Sequence, residues 1–116
     1  MIVLYHGTSK ENATSILKRG FKFGDCSDYG KAIYFSESIE VAKDYALKNG
    51  VIITCLFTGN ILDMGNSSHF ELYKQMNNAF LNSEVKTKGY HALKDGYIIA
   101  VYSKKHLDKI RLTDED

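Results

Sequence analysis

Two short stretches near the start of the chain hold its densest set of reactive and ring-bearing side chains. The first is Leu4-Tyr5-His6-Gly7-Thr8, followed by Asn12 and then Ile16-Leu17-Lys18-Arg19-Gly20-Phe21. The second is Tyr29-Gly30-Lys31-Ala32-Ile33-Tyr34-Phe35-Ser36, followed by Ala42 and Tyr45. Each reads as a strand running into a helix start, with a polar or aromatic residue where the strand ends. Side by side, the two would frame a cleft with an imidazole on one wall and two phenol rings on the other. Aromatic faces there offer flat contact area and attract cations. Singly, each residue has a plainer use: a histidine after a strand is commonly structural, and a lone tyrosine fills core or surface. Their joint occurrence is what points to a ligand.

The elements that must position these residues follow from periodicity and turn chemistry. Ile2 to Tyr5 is a β-branched and aromatic run, read as a buried strand. Thr8-x-x-Glu11 is a capping box for a helix with Ala13, Ile16 and Leu17 as its apolar stripe, ending at Gly20. Phe21 to Asp28 reads as a loop with a brief strand at its start. Ala32 to Phe35 is a second strand, and Ser36 caps a helix through Lys48, one face of which carries Ile39, Ala42, Tyr45 and Ala46. Val51 to Phe57 is a nearly continuous apolar run, read as a central strand. After Ile61 to Met64, Ser68-x-x-Glu71 opens a half-buried helix carrying Phe70, Tyr73, Met76, Asn77 and Phe80. Gly89 to Leu93 and Tyr97 to Tyr102 are strands joined by Lys94-Asp95-Gly96. Leu107 to Leu112 is an edge strand guarded by Lys and Arg. Short strands with three helices make an α+β fold, two small sheets packed face to face with the helices outside.

A chain of 116 residues is one domain's worth. We read 1–116 as a single domain whose acidic residues 113–116 fray. With 44% hydrophobic and 25% charged residues it has the composition of a soluble globular protein. Its net charge of +1 gives no basic field for nonspecific nucleic-acid binding. Cys26 and Cys55 lack metal-ligand spacing and read as free thiols, so no metal is expected. His69, His91 and His106 show no ligand spacing either. Without a signal peptide or membrane-length apolar run, a cytoplasmic setting and no membrane partner are expected.

At the two motifs the sequence resembles the ADP-ribosyltransferase superfamily, on the side of the poly(ADP-ribose) polymerases. The first motif of that family is His-Gly-Thr/Ser with an Asn five residues after the Gly, then Ile-Leu and a closing Gly, all present here. The second is Gly-Lys-Gly-Ile-Tyr-Phe with a further Tyr eleven residues after its Tyr; Gly30 to Phe35 departs only at Ala32, and Tyr45 stands at that distance. The resemblance covers residues 1 to 60 well and the remainder loosely. It implies the same split sheet and NAD as co-substrate. By resemblance, the main chain of Gly7 binds the nicotinamide carboxamide and Tyr34 and Tyr45 sandwich the ring. His6 holds a ribose hydroxyl with Thr8 and Asn12 near it, and Lys22 reaches the pyrophosphate. Nicotinamide leaves readily because its nitrogen is cationic in NAD and neutral once released, and positive charge then develops at the sugar.

Two positions depart from the family pattern. Ala42 stands where many members have a Ser that bonds the carboxamide. The family's catalytic Glu opens a strand that matches Tyr97 to Tyr102, and the best register puts Ile98 there, with Tyr97 as the other candidate. A set of His6, Tyr34 and Ile98 implies transfer of one ADP-ribose to a macromolecule, protein before nucleic acid, by a small stand-alone monomer such as a bacterial or viral effector. Glu37, Glu84 and Asp95 are weighed as substitute acids, with a solvated carboxylate the favoured reading of each. Other readings stay open: a catalytically dead domain that binds NAD or ADP-ribose, a nucleic-acid-directed relative such as an RNA 2′-phosphotransferase, or an interaction domain with no small-molecule site.

Overall fold

A computed structural model describes residues 1–26, 28–46 and 48–113, the side chains of Asp25 and Cys26 excepted. Among them are eight strands and four α-helices in a mixed α+β arrangement. Strand β1 (Ile2–Thr8) lies antiparallel to β4 (Val51–Phe57) along its whole length, from Ile2↔Phe57 to Thr8↔Val51. On the other side of β4 lies β8 (Leu107–Leu112), with a register irregularity between Thr54 and Leu56. A second group is built on β3 (Gly30–Ser36), which pairs with β7 (Ile98–Val101); β7 forms a hairpin with β6 (Ala92–Asp95), and β6 runs parallel to β5 (Ile61–Asp63). The short β2 (Gly24–Cys26) pairs with the start of β3.

The two groups meet between β1 and β3 at one residue pair, Tyr5↔Ser36. Through that pair the strands form one sheet in the order β5-β6-β7-β3-β1-β4-β8, with β2 beside β3, where two small sheets packed face to face were expected; the single-pair junction is where that sheet splays. Leu4, Ile53, Cys55 and Phe57 of one group share a buried cluster with Ile33, Phe35, Ile99 and Val101 of the other. A second cluster joins Leu62, Leu93 and Tyr102 to Leu81 and Val85 of α4 (Leu81–Thr87). That helix was not read from the sequence. Its seven residues are too few to be stable alone, so burial of Leu81 and Val85 holds it.

Helix starts fall elsewhere than expected. α1 (Lys10–Arg19) is capped by Ser9, whose side chain accepts from the Asn12 N–H, because the β1–β4 ladder keeps Thr8 in the strand. Gly20 closes α1 at φ 85°, its N–H bonding the Ile16 carbonyl, while Leu17 points outward at 44% exposure. Ser36 likewise stays in β3, and Ser38 caps α2 (Ile39–Ala46), its hydroxyl accepting from the Val41 N–H. α3 (Ser67–Lys74) is capped by Asn66 rather than Ser68. It ends before Met76, and Asn77 starts a separate 3-10 turn over Asn78–Phe80 that leaves Phe80 exposed. The strand before the Asp95-Gly96 turn starts at Ala92, later than expected, and Gly96 turns with φ 60°. Thr113 is tied to β4 through the Ile52 carbonyl; the rest of the expected frayed tail, and the Cys26 thiol, lie outside what is described. No helix among the described residues is long and apolar enough to cross a membrane.

Candidate active-site cleft

The split between β1 and β3 opens a cavity of about 230 Å³ lined by His6, Gly7, Tyr34, Tyr45 and Ile98 among others. A second hollow of about 360 Å³ adjoins it, and Thr8, Asn12 and Lys22 stand on its wall. His6 and Tyr34 line both. Residues named from two separate motifs and one register argument thus converge on a continuous cleft. Tyr97, the other candidate at the start of β7, is 67% exposed and lines neither part.

Which way the Gly7 peptide groups point follows from pairing parity. The Ile52 carbonyl accepts the Thr113 N–H and so faces β8, away from β1. Gly7↔Ile52 is therefore a pair without mutual hydrogen bonds, and the Gly7 N–H and C=O face the other edge of β1. The same parity follows from β3. The Tyr34 carbonyl takes a bond from His6 on β1, so by alternation Ser36 and its partner Tyr5 face each other across the junction. Past that pair the strands diverge, and Gly7 presents a donor and an acceptor to the cavity that it lines.

Glycine is required at position 7 for a reason that sequence reading missed. A Cβ there would overlap the Ala42 carbonyl oxygen and lie 2.7 Å from the Ala46 nitrogen. On Gly50 it would overlap the Ala46 carbonyl oxygen. α2 therefore sits main chain against main chain on β1, and the chain leaves it through an equally tight passage at Gly50, just before β4. Ala42 is buried at 1% exposure and backs Gly7 from behind; it lines neither part of the cleft, unlike the cofactor-binding position expected of it. Tyr45, on the same helix, is 63% exposed and stands over the cavity.

His6 is wedged edge-on between Phe21 and Phe35, with ring centroids 5.2 and 5.5 Å away. Its Nδ1 lies 2.7 Å from the Tyr34 carbonyl oxygen. A carbonyl only accepts, so Nδ1 carries the proton and Nε2 of the neutral ring is a bare acceptor. Burial pushes the His6 pKa below its ordinary value, against the opposing pull of the Tyr34 carbonyl, which keeps the ring neutral near pH 7. The Tyr34 hydroxyl donates to the Gly30 carbonyl at 2.7 Å, fixing its ring against the strand that carries it.

The three acids weighed from sequence line neither part of the cleft. Glu37 is ion-paired with Lys94 at 2.8 Å, Asp95 accepts from the Tyr29 hydroxyl, and Glu84 lies on α4. The remaining histidines serve local bonds: His69 and His91 accept the backbone N–H groups of Asp63 and Asn60, and His106 pairs with Ser103. Among lining residues the sequence did not single out are Tyr5, Ser36 and Asp28. Asp28 was visible only as an acid just ahead of the second motif.

A family model described as the poly(ADP-ribose) polymerase catalytic domain matches residues 1–109, which include both motifs and Ile98. Comparison with curated proteins finds no match.

Proposed function

From the premise that the chain belongs to the poly(ADP-ribose) polymerase catalytic-domain family, whose domains are NAD-dependent ADP-ribosyltransferases, we propose that it transfers a single ADP-ribose from NAD to a macromolecular acceptor, with protein favoured. We read residues 1–116 as one catalytic domain. The observation that carries the reading is the convergence of the Gly7 peptide edge, two tyrosines and Ile98 on one cavity of about 230 Å³. NAD supplies a cationic nicotinamide that becomes a neutral leaving group, with positive charge developing on the ribose it departs from.

The chain's own groups fit that substrate. Gly7 offers an adjacent N–H and C=O, the complement of a carboxamide. Tyr34 and Tyr45 supply aromatic faces for a pyridinium, worth about 0.5–2 kcal/mol in cation–π attraction depending on desolvation. The bare Nε2 of neutral His6 accepts a hydrogen bond from a ribose hydroxyl at the junction of the two hollows. In the second hollow, Lys22 meets the pyrophosphate, near Thr8 and Asn12. Holding one bond between these anchors converts binding into orientation. An apolar Ile98 cannot activate a ribose hydroxyl of a first ADP-ribose for a second round, which supports single transfer over chain growth.

The same Ile98 favours a second reading, an NAD-binding domain that does not turn over. Incubating the chain with labelled NAD and following nicotinamide release and acceptor labelling separates the two. Release that Tyr45→Ala and His6→Ala both abolish supports the transferase. Calorimetric binding of NAD that Tyr45→Ala abolishes, with no release by the wild type, supports the binder.

A further inference from the structure

The transferase reading leaves the charge that develops on the ribose without a partner, because Ile98 contributes only hydrocarbon. The cleft nonetheless carries a carboxylate. Among its described lining residues, Asp28 is the one acid in the first hollow and Lys22 the one side-chain cation in the second. The two ends are thus polarised in the sense a dinucleotide with a cationic head and an anionic pyrophosphate requires.

The segment carrying Asp28 is tied down close to that residue. The next residue, Tyr29, is held at both ends: its hydroxyl donates to Asp95, and its carbonyl accepts from the fully buried Tyr102 hydroxyl at 2.8 Å. Gly30, at φ 77°, turns the chain into β3, and its carbonyl accepts the Tyr34 hydroxyl at 2.7 Å. Asp28 is therefore attached to the β6–β7 hairpin and to β3, the strands that supply Ile98 and Tyr34, while the residue itself is exposed.

We infer that Asp28 is the carboxylate that faces the developing positive charge in this cleft, in place of an acid at position 98; the inference rests on the transferase reading. In the step it assists, the glycosidic C–N bond breaks and its electron pair leaves with the nicotinamide nitrogen. The acceptor heteroatom gives the pair for the new bond to the same carbon and loses its proton to water. Asp28 supplies charge throughout and forms no bond. Its exposure sets the size of the effect: water screens a surface carboxylate, so its removal costs less than the ~10²–10³ in rate of a desolvated transition-state partner.

Nicotinamide release by the whole chain, measured across NAD concentrations, tests this. Asp28→Asn should lower kcat roughly 10-fold or more while KM for NAD moves less than about threefold, the pattern of an interaction made in the transition state. Asp28→Glu should retain part of the rate, and Ile98→Glu added to Asp28→Asn should restore it, which no loss of fold would do. Thermal melts check that each variant is folded, with Asp28→Ser as a second uncharged substitution. A kcat for both uncharged variants within about twofold of wild type overturns the role of Asp28 and leaves the transferase standing. A wild type that binds NAD without releasing nicotinamide overturns both.

Discussion

Replacing Gly7 by alanine separates two reasons for a glycine at the heart of the cleft. The added Cβ would overlap the Ala42 carbonyl oxygen and stand 2.7 and 2.9 Å from the Ala46 nitrogen and the Ala42 carbonyl carbon, where ordinary contact begins at 3.4 Å. All three are main-chain atoms of α2, so no side chain can swing aside. The helix must back away from β1 by more than an ångström to clear the overlap. Overpacking of this kind costs about 1–3 kcal/mol, and the overlap with rigid backbone argues for the upper end. Alanine recovers roughly 0.5–1 kcal/mol through its smaller loss of chain entropy. The net, about 2 kcal/mol, lowers Tm by about 8 °C at some 4 °C per kcal/mol for a domain of this size. Gly24→Ala is the control, since its Cβ would meet only the Ala32 carbonyl oxygen at 3.9 Å, and its Tm should hardly move. Calorimetric melts and NAD titrations read out both variants. Gly7→Ala should lose stability and, because α2 carries Tyr45, NAD affinity with it. A Tm unchanged from wild type would refute the helix-seating argument; if affinity alone were lost, the glycine would be there for the ligand.

Other outcomes follow from the same geometry. Tyr45→Ala removes a ring that is 63% exposed, so Tm should shift little while NAD affinity drops at least about tenfold, by titration calorimetry. His6 has a folded pKa below its ordinary 6.5, so under about pH 6.5 the unfolded chain binds a proton that the folded chain does not. Stability from this site is therefore complete above that pH and lost as pH falls toward the folded pKa. Because burial, with the charges of His106 and Lys105, depresses His91 too, the test is the difference between wild type and His6→Gln melts, which should shrink from pH 7 to pH 5. The Cys55 thiol, pushed up to about 12 by burial, should resist an aromatic disulfide reagent in folded Cys26→Ser protein and react once denatured.

Much of this was legible because the strands advertise themselves. Val51 to Phe57 and Leu107 to Leu112 were read with the bounds they have, the first from an unbroken apolar run and the second from its charged edge. Caps were read one or two residues off at Thr8, Ser36 and Ser68. Each has a competent neighbour in Ser9, Ser38 and Asn66, and at the first two long-range pairing decides, Thr8↔Val51 and Ser36↔Ile98 keeping those residues in strands. α4 went unread since two buried side chains, Leu81 and Val85, make too short a periodicity to count. In the cleft, His6, Gly7, Tyr34, Tyr45 and Ile98 came from the resemblance of two motifs and one strand register to the family pattern, whose spacing folding preserves. Asp28 sits on a turn, where spacing has no period to betray it, and Ala42 lies behind the wall on which its neighbour Tyr45 stands.

A helix laid bare peptide on bare peptide against a strand has no cushion of side chains there to let it slide. The main chain that carries Tyr45 is thereby gauged to the edge of Gly7, and that spacing cannot drift as the surrounding surface varies. Adaptation of this cleft to a different acceptor or a faster reaction has its freedom on the opposite bank, among the residues flanking Asp28 and Ile98.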